Sequence, residues 1–381
     1  MRSTRVGVRG TFQFAACIIG AAIVVGTAHA EPNIVNLGTL PGMTSSVGSS
    51  VSSAGSVVVG TCSSSTSSRA FRWTMSGGIQ DLGVLGGGLE STADAISANG
   101  QYIVGYSAST SGVRAIRWTS GGAPHDLGVL PGGWDAYGLG ASADGAVVIG
   151  QCYTPQGNRA FRWTVSSEMQ SLGTLNGGNS SGADGISANG QSITGWSDSA
   201  NGLRAFRWTT ALGMQDLGVL EGGDSSSGIA MNGDGSVVVG YSTSALGDRA
   251  FRWTSAAGML DLGTLPGGGA SYAHAISDDG TIVVGGVVTN WGNRAVLWDA
   301  SLNIVDLNVY LPTLGVDLTD WVLTDARGLS ADGTSITGLG LYNGESRAWL
   351  VTGVPSPSTV SVLALASIVA SRCRRAIEGS R

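Results

Sequence analysis

Apolar and polar positions in this chain alternate with the period of a strand, not of a helix. Asp94-Ala95-Ile96-Ser97 sets small or apolar residues against polar ones, the mark of a half-buried strand. Asn99-Gly100 follows, a dipeptide that predicts a tight hairpin turn with two positive φ values. The same turn is spelled Asp144-Gly145, Asn189-Gly190, Asp234-Gly235, Asp279-Gly280 and Asp332-Gly333. Tyr102-Ile103-Val104-Gly105 is a second strand, and a loop of Ser, Thr and Gly leads to a third, Arg114-Ala115-Ile116-Arg117-Trp118-Thr119. A short fourth, His125-Asp126-Leu127-Gly128, is echoed by Gln80-Asp81-Leu82-Gly83 and Gln215-Asp216-Leu217-Gly218. Gly-rich hairpins and the lack of a 3.6-residue period exclude helical repeats.

The third strand shows that this unit is copied. Arg69-Ala70-Phe71-Arg72-Trp73-Thr74 returns at Arg114, Arg159, Arg204 and Arg249, each time after 45 residues; a decayed copy starts at Arg294 and a further-changed one at Arg347. A fixed period of this size with four strands per unit is the content of one β-propeller blade. The count comes to seven. The last unit lacks its fourth strand, whereas Ile34-Val35-Asn36-Leu37-Gly38 reads like the fourth strand Ile304-Val305-Asp306-Leu307 without a blade of its own. Letting the N-terminal segment complete the last blade removes both exposed sheet edges. The expected fold is all-β, a seven-bladed propeller closed by that shared strand.

Within the hexapeptide, alternation puts Arg69, Phe71 and Trp73 on one face and Ala70, Arg72 and Thr74 on the other. Phe and Trp, at about 150–250 Å² each, should dominate the contact between blades. Two Arg so near the core need acceptors, and Asp81, Asp126, Asp216 and Asp261 of the adjacent strand are the expected ones, with Arg72 pairing to Asp81 or to the neighbouring blade's equivalent.

Both ends of the chain read as processing segments. Arg2, Arg5 and Arg9, the apolar run Phe14–Gly26 and Ala28-His29-Ala30 have the three parts of a secretory signal over residues 1–30. At the other end, over residues 354–381, Val354-Pro355-Ser356-Pro357-Ser358 precedes an apolar run and Arg372, Arg374 and Arg375. That run is shorter than the roughly 20 residues a spanning helix needs, so membrane contact is expected to be transient and through this tail alone. The propeller itself takes residues 31–353.

Composition narrows the partners. All twenty basic residues are Arg, and twelve of them sit in the hexapeptides. Without the three Arg of the leader, and the four Arg and Glu378 of the tail, the net charge of −6 becomes −12. A surface that acidic repels phosphate backbones, which argues against nucleic acid. Cys62 and Cys152 fall at one repeat position two repeats apart, too far for a bridge, and are expected to be free core thiols.

No chemistry stands out from the repeat. His125 and His274 lack a third ligand for zinc, and no Ser sits on a nucleophile elbow. The recurring Gly-Gly has no Lys and no following helix to make a phosphate loop, and the Asp-Gly turns lack the acidic density of a calcium loop. No cofactor and no metal are expected. What the repeat leaves free lies in the loops between blades and between second and third strands, which should gather on one rim. They hold Glu90, Trp134, Asp135, Tyr137, Glu221, Asp224, Tyr272, Asn290 and Trp291. Trp and Tyr beside carboxylates suit sugar stacking with hydroxyl recognition. The expected protein is a secreted or cell-surface monomer, a non-enzymatic module that binds an extracellular polysaccharide or a surface protein. A glycan-acting lyase or hydrolase stays open and needs two carboxylates about 5–10 Å apart; a purely structural surface protein is the third possibility.

The repeat as a whole, with Asp261-Leu262-Gly263-Thr264-Leu265-Pro266-Gly267-Gly268 and its continuation to Trp298, resembles the bacterial extracellular HAF repeat. The likeness runs over residues 36–352. The tail, with its Pro pair, apolar run and Arg cluster, resembles the PEP-CTERM sorting signal, departing from it at Ser356, where that family usually carries Glu. Together these resemblances imply an exported repeat protein. They carry over no activity and no functional residue.

Overall fold

A computed structural model describes residues 31–357 of the protein; the expected secretory leader and nearly all of the expected sorting tail lie outside the described residues. Seven four-stranded antiparallel sheets form a seven-bladed β-propeller. In blade 2 the strands are Ser91–Ile96, Tyr102–Ser109, Gly112–Thr119 and His125–Asp126, hydrogen-bonded in sequence order, and blades 1 and 3–6 repeat this. First strands of successive blades touch one another all round, blade 7 to blade 1 included, so they line the central channel.

Blade 7 confirms the closure. Asn33–Asn36 pairs antiparallel with Glu345–Thr352, Ile34 opposite Val351 and Val35 opposite Leu350, as that blade's fourth strand. The N-terminal strand and the tail therefore leave from one face, the face of the Asp-Gly hairpins. Val354 confirms this, its N–H donating to Thr334 O at 2.9 Å just beyond the Asp332-Gly333 turn. Interblade loops and the loops joining second to third strands make the opposite face.

The hairpins differ from the expected turn. Only Gly100, Gly145, Gly190, Gly235, Gly280 and Gly333 take positive φ there; the preceding Asn or Asp does not. That residue instead accepts with its side chain from the N–H two positions on, as Asn99 does from Gln101 at 3.0 Å. A hydrogen bond from Gly100 N–H to Ser97 O closes the turn. Asn-Gly thus acts here through one left-handed glycine and an Asx contact, not two left-handed residues. Neighbouring hairpins also bond to each other, Ala98 N–H to Ala143 O, Ala143 to Ala188 and Ala188 to Gly233, which belts that end of the ring.

The arginine pairing is corrected as well. Arg69, not Arg72, faces Asp81, at 3.8 Å, and Arg114, Arg204 and Arg294 face Asp126, Asp216 and Asp306 in the same way. Register explains it: Asp81 is opposite Phe71, so its same-face diagonal neighbour is Arg69, while Arg72 is opposite Gln80. These pairs are long and partly exposed, so they add little stability. The first Arg matters more as a staple, donating to a loop carbonyl of the next blade: Arg114 to Trp134 O at 2.6 Å, Arg204 to Asp224 O at 2.5 Å and, across the closure, Arg347 to Thr44 O at 2.8 Å.

The core lies between blades, where Phe71, Trp118, Phe161, Phe206 and Phe251 are fully buried. One helix, Leu307–Thr313, breaks the repeat before blade 7. Elsewhere the second residue after the Asp is a Gly with φ near +75°, as at Gly83 (+76°) and Gly218 (+79°), which turns the chain away. Asn308 stands there instead, bonded through its N–H to Asp306 at 2.8 Å, and the chain continues into a helix that buries Leu307 and Leu311.

Candidate functional site: the channel mouth

A β-bulge recurs at one place in the first strand of every blade. The residue it leaves unpaired is Ser49, Asp94, Leu139, Asp184, Ile229, His274 or Arg327, from blade 1 to blade 7. Flanking positions such as Ala93, Ala183, Ala273 and Ala326 are fully buried, whereas the bulged residues are partly accessible and Arg327 is exposed. A bulge re-aims its side chain, and here it puts one residue per blade at the channel.

Two residues nearer the loop face, aromatic side chains make an arc. Tyr106 of blade 2 meets Tyr137 of blade 3 edge to face, ring centres 4.8 Å apart, and Tyr137 meets Tyr153 at 5.8 Å. Trp134, half-exposed, is joined to Tyr153 by its backbone, N–H to carbonyl at 3.2 Å. On blades 5 and 6, Tyr241 and Tyr272 meet at 5.4 Å, and the Tyr272 hydroxyl donates to Asp248 Oδ2 at 3.0 Å.

Ionisable groups gather beneath this arc. Asp94 accepts from the Thr92 hydroxyl at 3.0 Å; burial nonetheless pushes its carboxyl up to about 6, against the opposing pulls of Thr92 and of Arg327's charge. Burial also raises Tyr106, with smaller contributions from the charges of Asp94 and Glu90. Asp184 is pushed up to about 7 by burial alone, and its Oδ2 has no partner among the described residues. Asp325 bridges two side chains, Oδ1 lying 3.1 Å from His274 Nε2 and Oδ2 accepting from Arg327 Nε at 2.8 Å. Burial alone would raise the Asp325 carboxyl; the His274 contact and Arg327 outweigh it and hold it below its ordinary value.

The expected rim residues fare unequally. Glu90 and Tyr137 join the blade 2–3 cluster, and Tyr272 joins Tyr241. Asp135 and Asp224 are spent on structure. Asp135 Oδ1 accepts from Val113 N–H of the preceding blade at 2.7 Å, and Asp224 Oδ1 from the Thr243 hydroxyl at 2.9 Å. Glu221 contributes its carbonyl to Ala245 N–H. Trp291, 70% exposed, rests on Gly267 in a turn it shares with Asn290. Sequence reasoning missed Asp94, Tyr106, Tyr153, Asp184, Asp325 and Arg327. Lining up the repeats would have found the bulge, because positions 49, 94, 139, 184, 229, 274 and 327 vary while their neighbours recur.

Among the described residues no three His, Cys, Asp or Glu side chains gather as a metal would need, and no helix is long and apolar enough to cross a membrane. A surface hollow of about 590 Å³ lies elsewhere, against the outer strands of blade 3 by Leu130, Met169 and Arg159. It is shallow and gathers no ionisable cluster, so the channel mouth is the better candidate.

No protein-family model and no curated protein matches the chain. Solved structures do. An oligogalacturonate lyase in complex with manganese is similar at a TM-score of 0.57 and 12% identity, over 84% of this chain and 93% of that one. An oligogalacturonate lyase from Vibrio parahaemolyticus gives 0.54 and 9%, over the same shares. A putative TolB from Agrobacterium tumefaciens gives 0.45 and 13%, over 72% of this chain and 93% of its own. At such identities the likeness shows the fold alone.

Proposed function

We propose that this is an exported, non-enzymatic binding module of the cell surface or extracellular matrix, and that its channel mouth takes a carbohydrate chain. The observation behind this reading is the continuous edge-to-face run Tyr106–Tyr137–Tyr153, beside exposed Trp134, leading from the rim toward the polar channel. Aromatic faces stack on the apolar faces of sugars, and the carboxylates below them accept from hydroxyls. Asp94 and Asp184, held at a cost in stability, support a functional channel, since a purely structural ring gains nothing from them. A glycan array on wild-type protein and Tyr137→Ala tests this. Binding that Tyr137→Ala weakens severalfold is expected; a wild-type protein that retains no glycan sinks the reading.

A glycan-acting enzyme on the same ring is the second reading, favoured by one arrangement. An imidazole set beside a carboxylate, as His274 Nε2 is 3.1 Å from Asp325 Oδ1, is a common setting for a proton-transferring base. Lyases of oligogalacturonate share the scaffold. Release of reducing ends from polysaccharide, abolished by His274→Ala, is the result this reading requires.

A further inference from the structure

We propose that Arg327 and Asp94, facing each other over the low wall of blade 1, clamp a pair of adjacent sugar hydroxyls, so that the mouth reads a vicinal diol. This rests on the carbohydrate-binding reading above and names the residues that would decide which sugar is held.

Arg327 occupies the bulge position of blade 7 and Asp94 that of blade 2. Blade 1, between them, carries only Ser49 at the bulge, with Val47 and Thr61 above it, where blades 2 and 3 carry Tyr106 and Tyr137. The wall between the two charged residues is therefore low. Arg327 Nε is tied to Asp325 Oδ2, and its two terminal amino groups donate to no described residue. Asp94 bonds to Thr92 and not to Arg327, yet lies close enough to feel the Arg327 charge. Opposite charges at the same bulge position on either side of blade 1, bonded to other partners and not to each other, put donors on one side of that low wall and acceptors on the other. Adjacent hydroxyls match this arrangement: one oxygen accepts from the guanidinium, while the neighbouring O–H donates to the carboxylate. Bonds to charged partners are about twice as strong as neutral ones.

An anionic sugar fits less well. The Arg327 charge is already balanced by Asp325, and Asp94 and Glu90 stand by to repel an acid group. Asp325 and His274 act as positioning residues, the imidazole holding the carboxylate that holds the fork. Lysine at 327 would keep the charge and lose the fork.

Calorimetry tests the clamp with mannohexaose, whose rings carry a cis-2,3-diol, cellohexaose, whose rings carry only trans diols, and an oligouronate of the same length. The variants are Arg327→Lys, Arg327→Gln, Asp94→Asn and, as the aromatic control, Tyr137→Ala. One of the two neutral chains is expected to bind better than the other and better than the oligouronate. Arg327→Lys, Arg327→Gln and Asp94→Asn should each weaken that binding by about tenfold or more, which is about 1.4 kcal/mol. Binding that Tyr137→Ala weakens and the Arg327 and Asp94 variants leave intact overturns the clamp and spares the binding reading. Preferential binding of the oligouronate overturns the clamp as well. No binding of any chain by the wild-type protein overturns both.

Discussion

Asp325 reaches His274 across the bare surface of Gly286. Its Oδ1 lies 3.1 Å from Nε2 of the imidazole, and a Cβ built on residue 286 would stand 2.8 Å from that same oxygen. In blades 2, 4 and 5 the equivalent position holds Tyr106, Trp196 and Tyr241. The repeat is thus broken at one point in a way that makes room for a carboxylate, and the same two blades carry His274 and Arg327. Gly286→Ala should push Asp325 off the imidazole. Burial would then face a weaker opposing contact, so the Asp325 carboxyl should titrate at higher pH, read from its carboxyl carbon by NMR. The obstructed atom is the tip of a side chain, so stability should change by no more than about 1 kcal/mol. An unchanged Asp325 titration would show that the glycine has no part in building the cluster.

Asp184 should lower the stability of the protein at neutral pH. Its carboxyl rises from 3.8 to about 7 on folding, through burial. A raised acid pKa favours folding where the group is protonated, so the penalty is full above pH 7 and disappears below about 4. Asp184→Asn should therefore stabilise by on the order of 3 kcal/mol at pH 8 and by almost nothing at pH 3.5, in urea titrations at the two pH values. Equal effects at both would assign the gain to something other than ionisation.

Cys62 and Cys152 do in blades 1 and 3 what serine does elsewhere. Their sulfurs accept from Leu40 N–H at 3.5 Å and Leu130 N–H at 3.4 Å, as Ser107, Ser197 and Ser242 accept from Leu85, Leu175 and Leu220. Cys62→Ser should cost under about 1 kcal/mol, whereas Cys62→Val leaves a buried N–H unpaired at about 1–3 kcal/mol. Burial pushes the Cys62 thiol up to about 11, so alkylation at pH 8 should be slow until the protein unfolds. Rapid labelling of the native protein would contradict both statements.

The blade count, the order of strands and the closing strand could all be read from the repeat, because periodicity and a missing fourth strand are one-dimensional facts. The site could not. Asp94 and Arg327 are separated by most of the chain, and the bulge that brings them to the channel shows in the sequence only as one variable position among recurring neighbours. Asp135 misled for the opposite reason: a loop carboxylate reads as available for a ligand, whereas here it accepts from the preceding blade's Val113 N–H. The turn was misjudged because Asn-Gly fits two hairpin geometries, and the bonds around Ser97 decide between them. The helix at Leu307 goes with two departures from the repeat, Asn308 in place of a glycine and a longer segment before blade 7, where Arg347 follows Arg294 by 53 residues and not 45.

The closure carries the last prediction. Leu37 and Leu40 are nearly fully buried against blades 7 and 1, and Leu37 N–H donates to Ala348 O at 3.0 Å, extending the pairing of Asn33–Asn36. Independent links also cross the seam. The Ser46 hydroxyl accepts from Ala348 N–H at 2.9 Å, and Arg347 bonds to Thr44 O. Deleting residues 31–40 leaves those links but removes two leucines worth about 1.5–3 kcal/mol each and bares the third strand of blade 7 as a sheet edge. The truncated protein should keep its β-sheet circular dichroism, unfold at lower urea and form concentration-dependent oligomers by edge pairing. Leu37→Ala separates the two effects: it should lower the urea midpoint, at a cost of about 2–5 kcal/mol, without oligomers, because the edge stays covered. If the truncation left the midpoint and the oligomeric state unchanged, the N-terminal strand would not be what holds the ring shut.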